Sequence, residues 1–220
     1  MTKPTRAILW DMDGTLIDSE PAHEAAFDSA LVEAGLAVPD GLHDGLLGAS
    51  GDAVFAALQK ATGTAMTLAD WTALKHRHFE THARAITRLP AAALAERLGA
   101  KGVPMALVSN STPGEVRFCL RTTGLDMLLT TIVTRADVAR GKPAPDGYLL
   151  GAQRLGITAG NCLVVEDSRT GAAAGLAAGM QVIYHPQAPD ALPPEGTHYL
   201  APGTAPDLLI ETFLRTTMAT

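Results

Sequence analysis

Short apolar runs, each bounded by polar or turn-forming residues, recur along most of this chain. The first run is Ala7-Ile8-Leu9-Trp10, and a polar cluster follows it directly. An apolar run of this length without alternation is typical of a strand that is buried on both faces of a sheet. Four later segments share the pattern and are predicted to be strands, at residues 105–108, 132–133, 162–165 and 181–184.

Helical patterns separate most of these predicted strands. The segment Thr112-Pro113-Gly114-Glu115 combines a capping box with a proline at the first helical position, and Gly124 follows as a C-terminal cap. Gly156 and Gly179 end two other helical stretches in the same way. The predicted helices lie at residues 91–101, 112–123, 146–155 and 169–178. Strands that alternate with helices predict right-handed crossovers and an α/β fold with a doubly wound parallel sheet.

One long region interrupts this alternation. Residues 19–88 show no strand pattern, and helical stretches are predicted at 21–34, 52–61 and 68–86. The sequence therefore predicts an α/β core formed by residues 1–18 and 87–220, with an inserted all-α cap formed by residues 19–86. Because the insertion follows the first strand, it should leave the sheet at the edge where open α/β sheets bind ligands. We expect the insertion to act as a lid.

Charge and composition restrict the class of partner. The formal net charge is −6, and no cluster of lysine and arginine is present, so we expect no nucleic-acid partner. No segment approaches the ~20 apolar residues that span a bilayer, so we expect no membrane partner. Cys119 and Cys162 lie in apolar surroundings far apart in sequence, which predicts buried thiols. These limits fit a cytoplasmic protein, which we expect to be a monomer.

Polar residues suited to catalysis follow four of the predicted strands. In chain order they are Asp11, Asp13, Ser109, Asn110, Lys142, Glu166 and Asp167. The carboxyl ends of parallel strands meet at one edge of a sheet, so these side chains should converge there.

Such a cluster would suit the transfer of a phosphoryl group. Carboxylates alone would repel a phosphate, but a hard divalent cation removes that conflict, and oxygen ligands suit Mg²⁺. An aspartate can attack phosphorus to form an aspartyl-phosphate, while a second carboxylic acid protonates the leaving oxygen and later activates water. A lysine and a serine hydroxyl can hold the phosphoryl oxygens. We therefore expect a small phosphate ester as substrate and Mg²⁺ as cofactor.

Four motifs, in the order in which the family carries them, resemble those of the haloacid dehalogenase superfamily. They are Asp11-Met12-Asp13-Gly14-Thr15, Ser109-Asn110-Ser111-Thr112, Gly141-Lys142-Pro143-Ala144-Pro145-Asp146 and Glu166-Asp167-Ser168. The resemblance spans nearly the whole chain. It is greatest to the β-phosphoglucomutase-like and phosphoglycolate-phosphatase-like enzymes, which carry a helical cap. It implies a phosphoric monoester hydrolase.

The resemblance also implies a role for each member of the cluster. Asp11 would be the nucleophile and a ligand of Mg²⁺. Asp13 would be the general acid and base, and its backbone carbonyl would bind the metal. Asp167 would be a further metal ligand, and Glu166 would bind the metal directly or through water. The residues implied to bind the phosphoryl group are Ser109, Asn110 and Lys142.

The segment of residues 47–52, in the first part of the predicted cap, bears on the choice between a phosphatase and a phosphomutase, which share this catalytic core. The mutases carry an arginine shortly after a glycine in that segment, whereas this chain has Gly51 there. A second anionic phosphate would lack its cationic partner, which favours hydrolysis of a sugar or polyol monophosphate, or of a phosphoglycolate-like compound. We expect substrate contacts from Gly48, Ser50 and Gly51, and from His23, which mutase-like relatives also carry.

A phosphomutase is the main alternative to a phosphatase, because it shares the whole catalytic core. A 2-haloacid dehalogenase is a weaker one, because such enzymes need no Mg²⁺ and lack the second aspartate of the first motif. Asp13 and the acidic pair of Glu166 and Asp167 argue against that chemistry.

Overall fold

The computed structural model describes residues 6–38, 42, 51–190 and 192–215. The chain forms two compact units. One unit is made of residues 1–18 and 87–220, and the other is made of residues 19–86. We refer to them as the core and the cap.

The described strands and helices are numbered along the chain. The strands are β1 (Ala7–Trp10), β2 (Ile17–Asp18), β3 (Thr87–Arg88), β4 (Met105–Val108), β5 (Ile132–Val133), β6 (Cys162–Glu166), β7 (Gln181–Tyr184) and β8 (His198–Tyr199). The helices are α1 (Glu20–Ala34), α2 (Gly51–Thr62), α3 (Leu68–Thr81), α4 (Pro90–Ala100), α5 (Pro113–Thr123), α6 (Asp146–Leu155), α7 (Arg169–Ala177) and α8 (Asp207–Arg215).

A six-stranded parallel sheet forms the centre of the core. Its strands are hydrogen-bonded in the order β5, β4, β1, β6, β7 and β8. Leu9 of β1 lies opposite Ala106 on one side and Val164 on the other. All four residues of β1 are inaccessible to solvent, which explains why the strand is an uninterrupted apolar run. The predicted α/β fold with a parallel sheet is confirmed.

The helix ends of the core follow from local signals in the sequence. Thr112 and Glu115 form the predicted capping box of α5, and Gly124 ends that helix in the left-handed conformation. Gly156 ends α6 in the same way. Ser168 caps α7 by accepting a hydrogen bond from the backbone N–H of Gly171.

Several elements differ from the prediction. Residues 87–88, predicted to be free of strand, form β3, which pairs antiparallel with β2. Two residues are too few to show a periodicity, and the partner strand lies far away in the sequence. The helix predicted at 68–86 ends at Thr81, whose hydroxyl donates to the carbonyl of His78. A 3₁₀ turn at Ala83–Ala85 follows. Neither β8 nor α8 was predicted.

The cap has its own apolar centre. Phe27 and Leu31 of α1 pack with Leu58 of α2 and with Trp71 of α3. The rings of Phe27 and Trp71 meet edge to face at 5.5 Å between centroids. Among the helices described in either unit, none is long and apolar enough to cross a bilayer.

Candidate active site

Asp11 and Asp13 lie in a tight turn at the carboxyl end of β1. The N–H of Asp11 donates to the carbonyl of Val165 at 3.0 Å, so the neighbouring strand β6 fixes the start of the turn. Gly14 reverses the chain with a φ of 77°, a conformation that favours glycine. A β-carbon on Gly14 would also lie 2.0 Å from Asp167 Oδ2. The turn therefore brings the first motif against the fourth.

Lys142 links two of the carboxylates. Its Nζ donates to Asp11 Oδ1 at 2.6 Å and to Glu166 Oε1 at 2.5 Å. The lysine side chain is only 6% exposed, so this ammonium is held in place away from bulk water. The structure thus brings together residues from three motifs at one end of the sheet, as the sequence predicts.

Glu166 is fully buried, and protein donors contact both of its carboxylate oxygens. Besides Lys142, Oε1 accepts a hydrogen bond from the hydroxyl of Tyr148 at 2.7 Å. The Oε2 atom accepts from the N–H of Ser168 at 3.2 Å and from its hydroxyl at 2.9 Å. A β-carbon at Gly171 would lie 1.7 Å from Oε1, so only glycine leaves room for this carboxylate beside α7.

The acidic group contains the atoms that a hard cation needs. Oxygen atoms of Asp11, Glu166 and Asp167 all lie within 4.8 Å of one another. The group combines three carboxylates with the ammonium of Lys142, which contacts two of them, so negative charge is in excess. An oxygen-only donor set with this charge could hold a divalent cation such as Mg²⁺.

Without a metal ion, the pKa values of the site reflect the crowding of its carboxylates. Burial, and then the nearby Glu166, raise the pKa of Asp11 to about 7, although Lys142 opposes the shift. Burial followed by repulsion from Asp11 and Glu166 raises the pKa of Asp167 well above its usual value. Burial alone would lower the pKa of Lys142, but the Asp11 and Glu166 carboxylates outweigh it and raise that pKa. A bound cation would relieve the repulsion between the carboxylates.

The second motif contributes two kinds of contact. Ser109 is buried, and its Oγ accepts a hydrogen bond from the N–H of Ser111 at 2.9 Å. The two polar atoms of the Asn110 side chain contact the backbone of Lys142: Oδ1 accepts from its N–H at 3.0 Å, and Nδ2 donates to its carbonyl at 3.3 Å. Asn110 therefore holds the loop that carries the lysine. Its predicted contact with the phosphoryl group stays a prediction.

Two further residues at this site were missed in the sequence. The hydroxyl of Ser111 donates to Asp13 Oδ2 at 3.0 Å, and its position two residues after Ser109 was an available signal. Tyr148 lies on α6 with no exposed surface. A phenol at a core-facing helical position calls for a hydrogen-bond acceptor, but nothing local in the sequence identifies that acceptor as Glu166.

The four residues that the sequence predicts to contact substrate all belong to the cap. The ring of His23 on α1 stacks on Phe79 at 4.3 Å between centroids. Gly51 is the first residue of α2, and a β-carbon there would meet nothing within 4 Å. Gly48 and Ser50 lie outside the described residues. A role in substrate binding stays a prediction for all four.

Comparison with known proteins bears on what this arrangement does. A family model for haloacid dehalogenase-like hydrolases matches residues 5–179. This chain belongs to the haloacid dehalogenase-like hydrolase family. The family and the enzyme class predicted from the motifs, a phosphatase of the haloacid dehalogenase type, are confirmed.

Individual relatives of this hydrolase extend over most of its length. Hexitol phosphatase A of Escherichia coli (strain K12) is 38% identical over 179 residues, which cover 81% of this chain and 82% of the relative. A crystal structure of a hydrolase of the same family from Deinococcus radiodurans R1, with bound phosphate and sodium, is 33% identical. It has a TM-score of 0.69 and covers 96% of this chain and 98% of the other.

A third relative supports the fold of this hydrolase. CbbY from Rhodobacter sphaeroides, solved in complex with phosphate, has a TM-score of 0.81 at 24% identity and covers 89% of this chain and 93% of the other. At that identity the likeness concerns the fold alone.

Proposed function

We propose that this hydrolase is a magnesium-dependent phosphatase of small sugar or polyol phosphates that acts through an aspartyl-phosphate on Asp11. The observation that carries the proposal is the buried Lys142 ammonium, which contacts Asp11 at 2.6 Å and Glu166 at 2.5 Å. It places a fixed positive charge beside the carboxylate that would attack phosphorus. A phosphoryl group bound there would meet a nucleophile and a cation together.

The residues would divide the chemistry between two carboxyl groups. Asp11 attacks phosphorus, the bond from phosphorus to the ester oxygen breaks, and Asp13 gives its proton to the departing alcohol. Asp13 then takes a proton from water, which attacks the aspartyl-phosphate and releases inorganic phosphate. Ser109 and Lys142 bind the phosphoryl oxygens during both steps. Asn110 keeps the Lys142 loop in place through its two backbone contacts.

The cation would be held by Asp11, Asp167 and the backbone carbonyl of Asp13. Both oxygens of Glu166 already accept hydrogen bonds from protein donors, which favours contact with the cation through water. When bound, Mg²⁺ supplies positive charge that offsets repulsion between the carboxylates and the phosphate.

Two observations support the substrate class. The relative that is 38% identical is a hexitol phosphatase, which favours a phosphorylated polyol or sugar. Gly51 stands where mutases carry an arginine, which favours a substrate with one phosphate over one with two.

The proposal includes a cytoplasmic location and a monomeric state. Cys119 and Cys162 are both free and buried, as a reducing compartment would leave them. Light scattering on the purified protein would test the monomer.

Phosphate release from a panel of substrates tests the proposed activity. The panel contains hexitol phosphates, hexose phosphates, phosphoglycolate and a hexose bisphosphate, each assayed with Mg²⁺ and with excess chelator. We expect release to require Mg²⁺ and to be fastest with a hexitol or hexose monophosphate. Asp11→Asn should abolish release, whereas Asp126→Asn, which changes an exposed carboxylate of the core, should leave it unchanged.

Three outcomes would contradict the proposal. Release at near wild-type rate by Asp11→Asn would exclude the nucleophile, and full activity in chelator would exclude the metal. Conversion of a sugar phosphate to its isomer without release of phosphate would show a mutase.

A further inference from the structure

Tyr148 is a buried phenol whose hydroxyl group contacts the proposed site. It lies on α6 with no exposed surface, and its hydroxyl donates to Glu166 Oε1 at 2.7 Å. The catalytic steps above assign it no proton transfer and no contact with substrate.

The same carboxylate oxygen is shared between the phenol and the lysine. Glu166 Oε1 accepts from Lys142 Nζ at 2.5 Å as well as from Tyr148. The ammonium also lies 5.1 Å from the centroid of the Tyr148 ring, within the range of a cation–π contact. Tyr148 therefore contacts Lys142 through its ring and, indirectly, through the oxygen that both donors share.

The other carboxylate oxygen leaves little freedom for Glu166 to move. Ser168 donates to Oε2 twice, and Gly171 permits the carboxylate to lie against the first turn of α7. With Oε2 held, the position of Oε1 depends on its own two donors. Removal of the phenol hydroxyl would leave Lys142 as the donor to Oε1 among the described residues.

We propose that Tyr148 is a positioning residue that sets how strongly Lys142 is held by Glu166, and so how available the ammonium is to a phosphoryl group beside Asp11. A carboxylate oxygen that accepts from two donors attracts each of them less than it would attract one alone. Without the phenol, Glu166 draws the ammonium towards itself and away from Asp11. The inference rests on the proposed phosphatase function.

Tyr148→Phe tests this role, because it removes only the hydroxyl and keeps the ring. Tyr184→Phe is the matched control: Tyr184 is also buried, and its hydroxyl donates at 3.0 Å to Asp190, which is not part of the site. The measurement is the dissociation constant of orthovanadate, a mimic of the transferring phosphoryl group, in the presence of Mg²⁺. We expect Tyr148→Phe to weaken binding about tenfold, as loss of one hydrogen bond to a charged group can do. Tyr184→Phe should change it less than twofold.

A double-mutant cycle with Lys142→Ala separates positioning of the lysine from a general effect on the fold. If Tyr148 acts through Lys142, Tyr148→Phe should change orthovanadate affinity less than twofold once the lysine is absent. A tenfold loss in both backgrounds, or equal behaviour of Tyr148→Phe and Tyr184→Phe, would overturn the inference.

The outcomes also distinguish the inference from the function on which it rests. If Lys142→Ala leaves orthovanadate affinity unchanged, or the wild type releases no phosphate from any ester of the panel, the proposed function fails and this inference fails with it. If Lys142→Ala weakens binding strongly and Tyr148→Phe matches its control, only the role of Tyr148 is wrong.

Discussion

A β-carbon on Gly171 would come within 1.7 Å of the Glu166 carboxylate oxygen Oε1. Gly171 lies in the first turn of α7, and Ser168, which caps that helix, also donates to Glu166. The missing side chain at Gly171 therefore creates the space in which a fully buried carboxylate reaches Lys142. The first turn of α7 is therefore part of the candidate active site, because Gly171 leaves room for Glu166 and Ser168 donates to it.

Because a β-carbon at Gly171 would collide with Glu166, we predict that Gly171→Ala lowers both activity and stability. The new methyl group must displace Glu166 or α7, so we expect kcat to fall at least about 100-fold as Lys142 loses its position. The free energy of unfolding should fall by about 1–3 kcal/mol, as is typical when a well-packed site is overfilled. Denaturant unfolding and phosphate release measure the two effects.

Gly160→Ala is the control for that substitution. A β-carbon there would meet nothing within 4 Å, and the φ of Gly160 is not positive. The change should alter the free energy of unfolding by less than about 0.5 kcal/mol. Equal activity of the Gly171→Ala and Gly160→Ala variants would show that Glu166 does not need its present position.

Gly14→Ala should abolish activity through a collision and not only through backbone strain. Gly14 has a φ of 77°, and its β-carbon would lie 2.0 Å from Asp167 Oδ2. Gly35→Ala carries similar strain, with a φ of 65°, but its β-carbon would meet nothing within 4 Å. Both variants should lose about 1–2 kcal/mol of stability from the left-handed backbone. Only Gly14→Ala should lose phosphate release; equal retention of activity would count against a catalytic role for this turn.

Asp13→Asn should impair turnover more than metal binding. The proposed metal contact at this position comes from the backbone carbonyl, which the substitution retains. Loss of a general acid should lower kcat by about 10²–10⁴-fold for a sugar phosphate. Formation of the phospho-enzyme from nitrophenyl phosphate should suffer least, because that leaving group needs little protonation. Normal turnover at saturating Mg²⁺ together with a large loss of Mg²⁺ affinity would contradict the assignment.

Mg²⁺ should stabilise the wild-type protein even without substrate. At a concentration about 100 times its dissociation constant it should raise the melting temperature by about 5–10 °C. Asp167→Asn should abolish most of this increase. Without metal, the variant should be at least as stable as the wild type, because one of three mutually repelling carboxylates is removed. An unchanged Mg²⁺ effect on the melting temperature of Asp167→Asn would exclude Asp167 as a ligand.

Gly51→Arg should shift substrate preference towards esters with a second anionic group. Gly51 is exposed and a β-carbon there would meet nothing within 4 Å, so a side chain can begin at this position without a collision. We expect kcat/KM for a hexose bisphosphate to rise several-fold relative to a monophosphate. Gln59→Arg adds the same charge at an exposed position of α2 and should leave the ratio unchanged. If both variants alter the ratio equally, the effect is one of net charge and Gly51 does not contact substrate.

Much of the fold was predictable because its signals are local. A strand buried on both faces is apolar along most of its length, which is why β1 and residues 162–165 of β6 were recognisable. A helix end needs a cap within a few residues, so Thr112 and Gly124 located α5. The amphipathic pattern of α8, with Ile210 and Phe213 buried, was also present in the sequence and was overlooked. The two-residue strands β2 and β3 offered no pattern to read.

In the candidate site, too, some features follow from the sequence and others only from the tertiary structure. The sequence by itself determined the parallel α/β sheet and the family. It also predicted that the acidic residues would cluster with Lys142, because parallel strands end at one edge of a sheet and the motifs follow those strand ends. Only the tertiary structure decided that Tyr148 and Lys142 share one oxygen of Glu166, that Ser111 contacts Asp13 and that Asn110 holds the Lys142 loop. Those contacts depend on how closely helices and loops pack at the strand ends and on which rotamer each side chain adopts. Such distances are set by the whole packed core and not by neighbours along the chain.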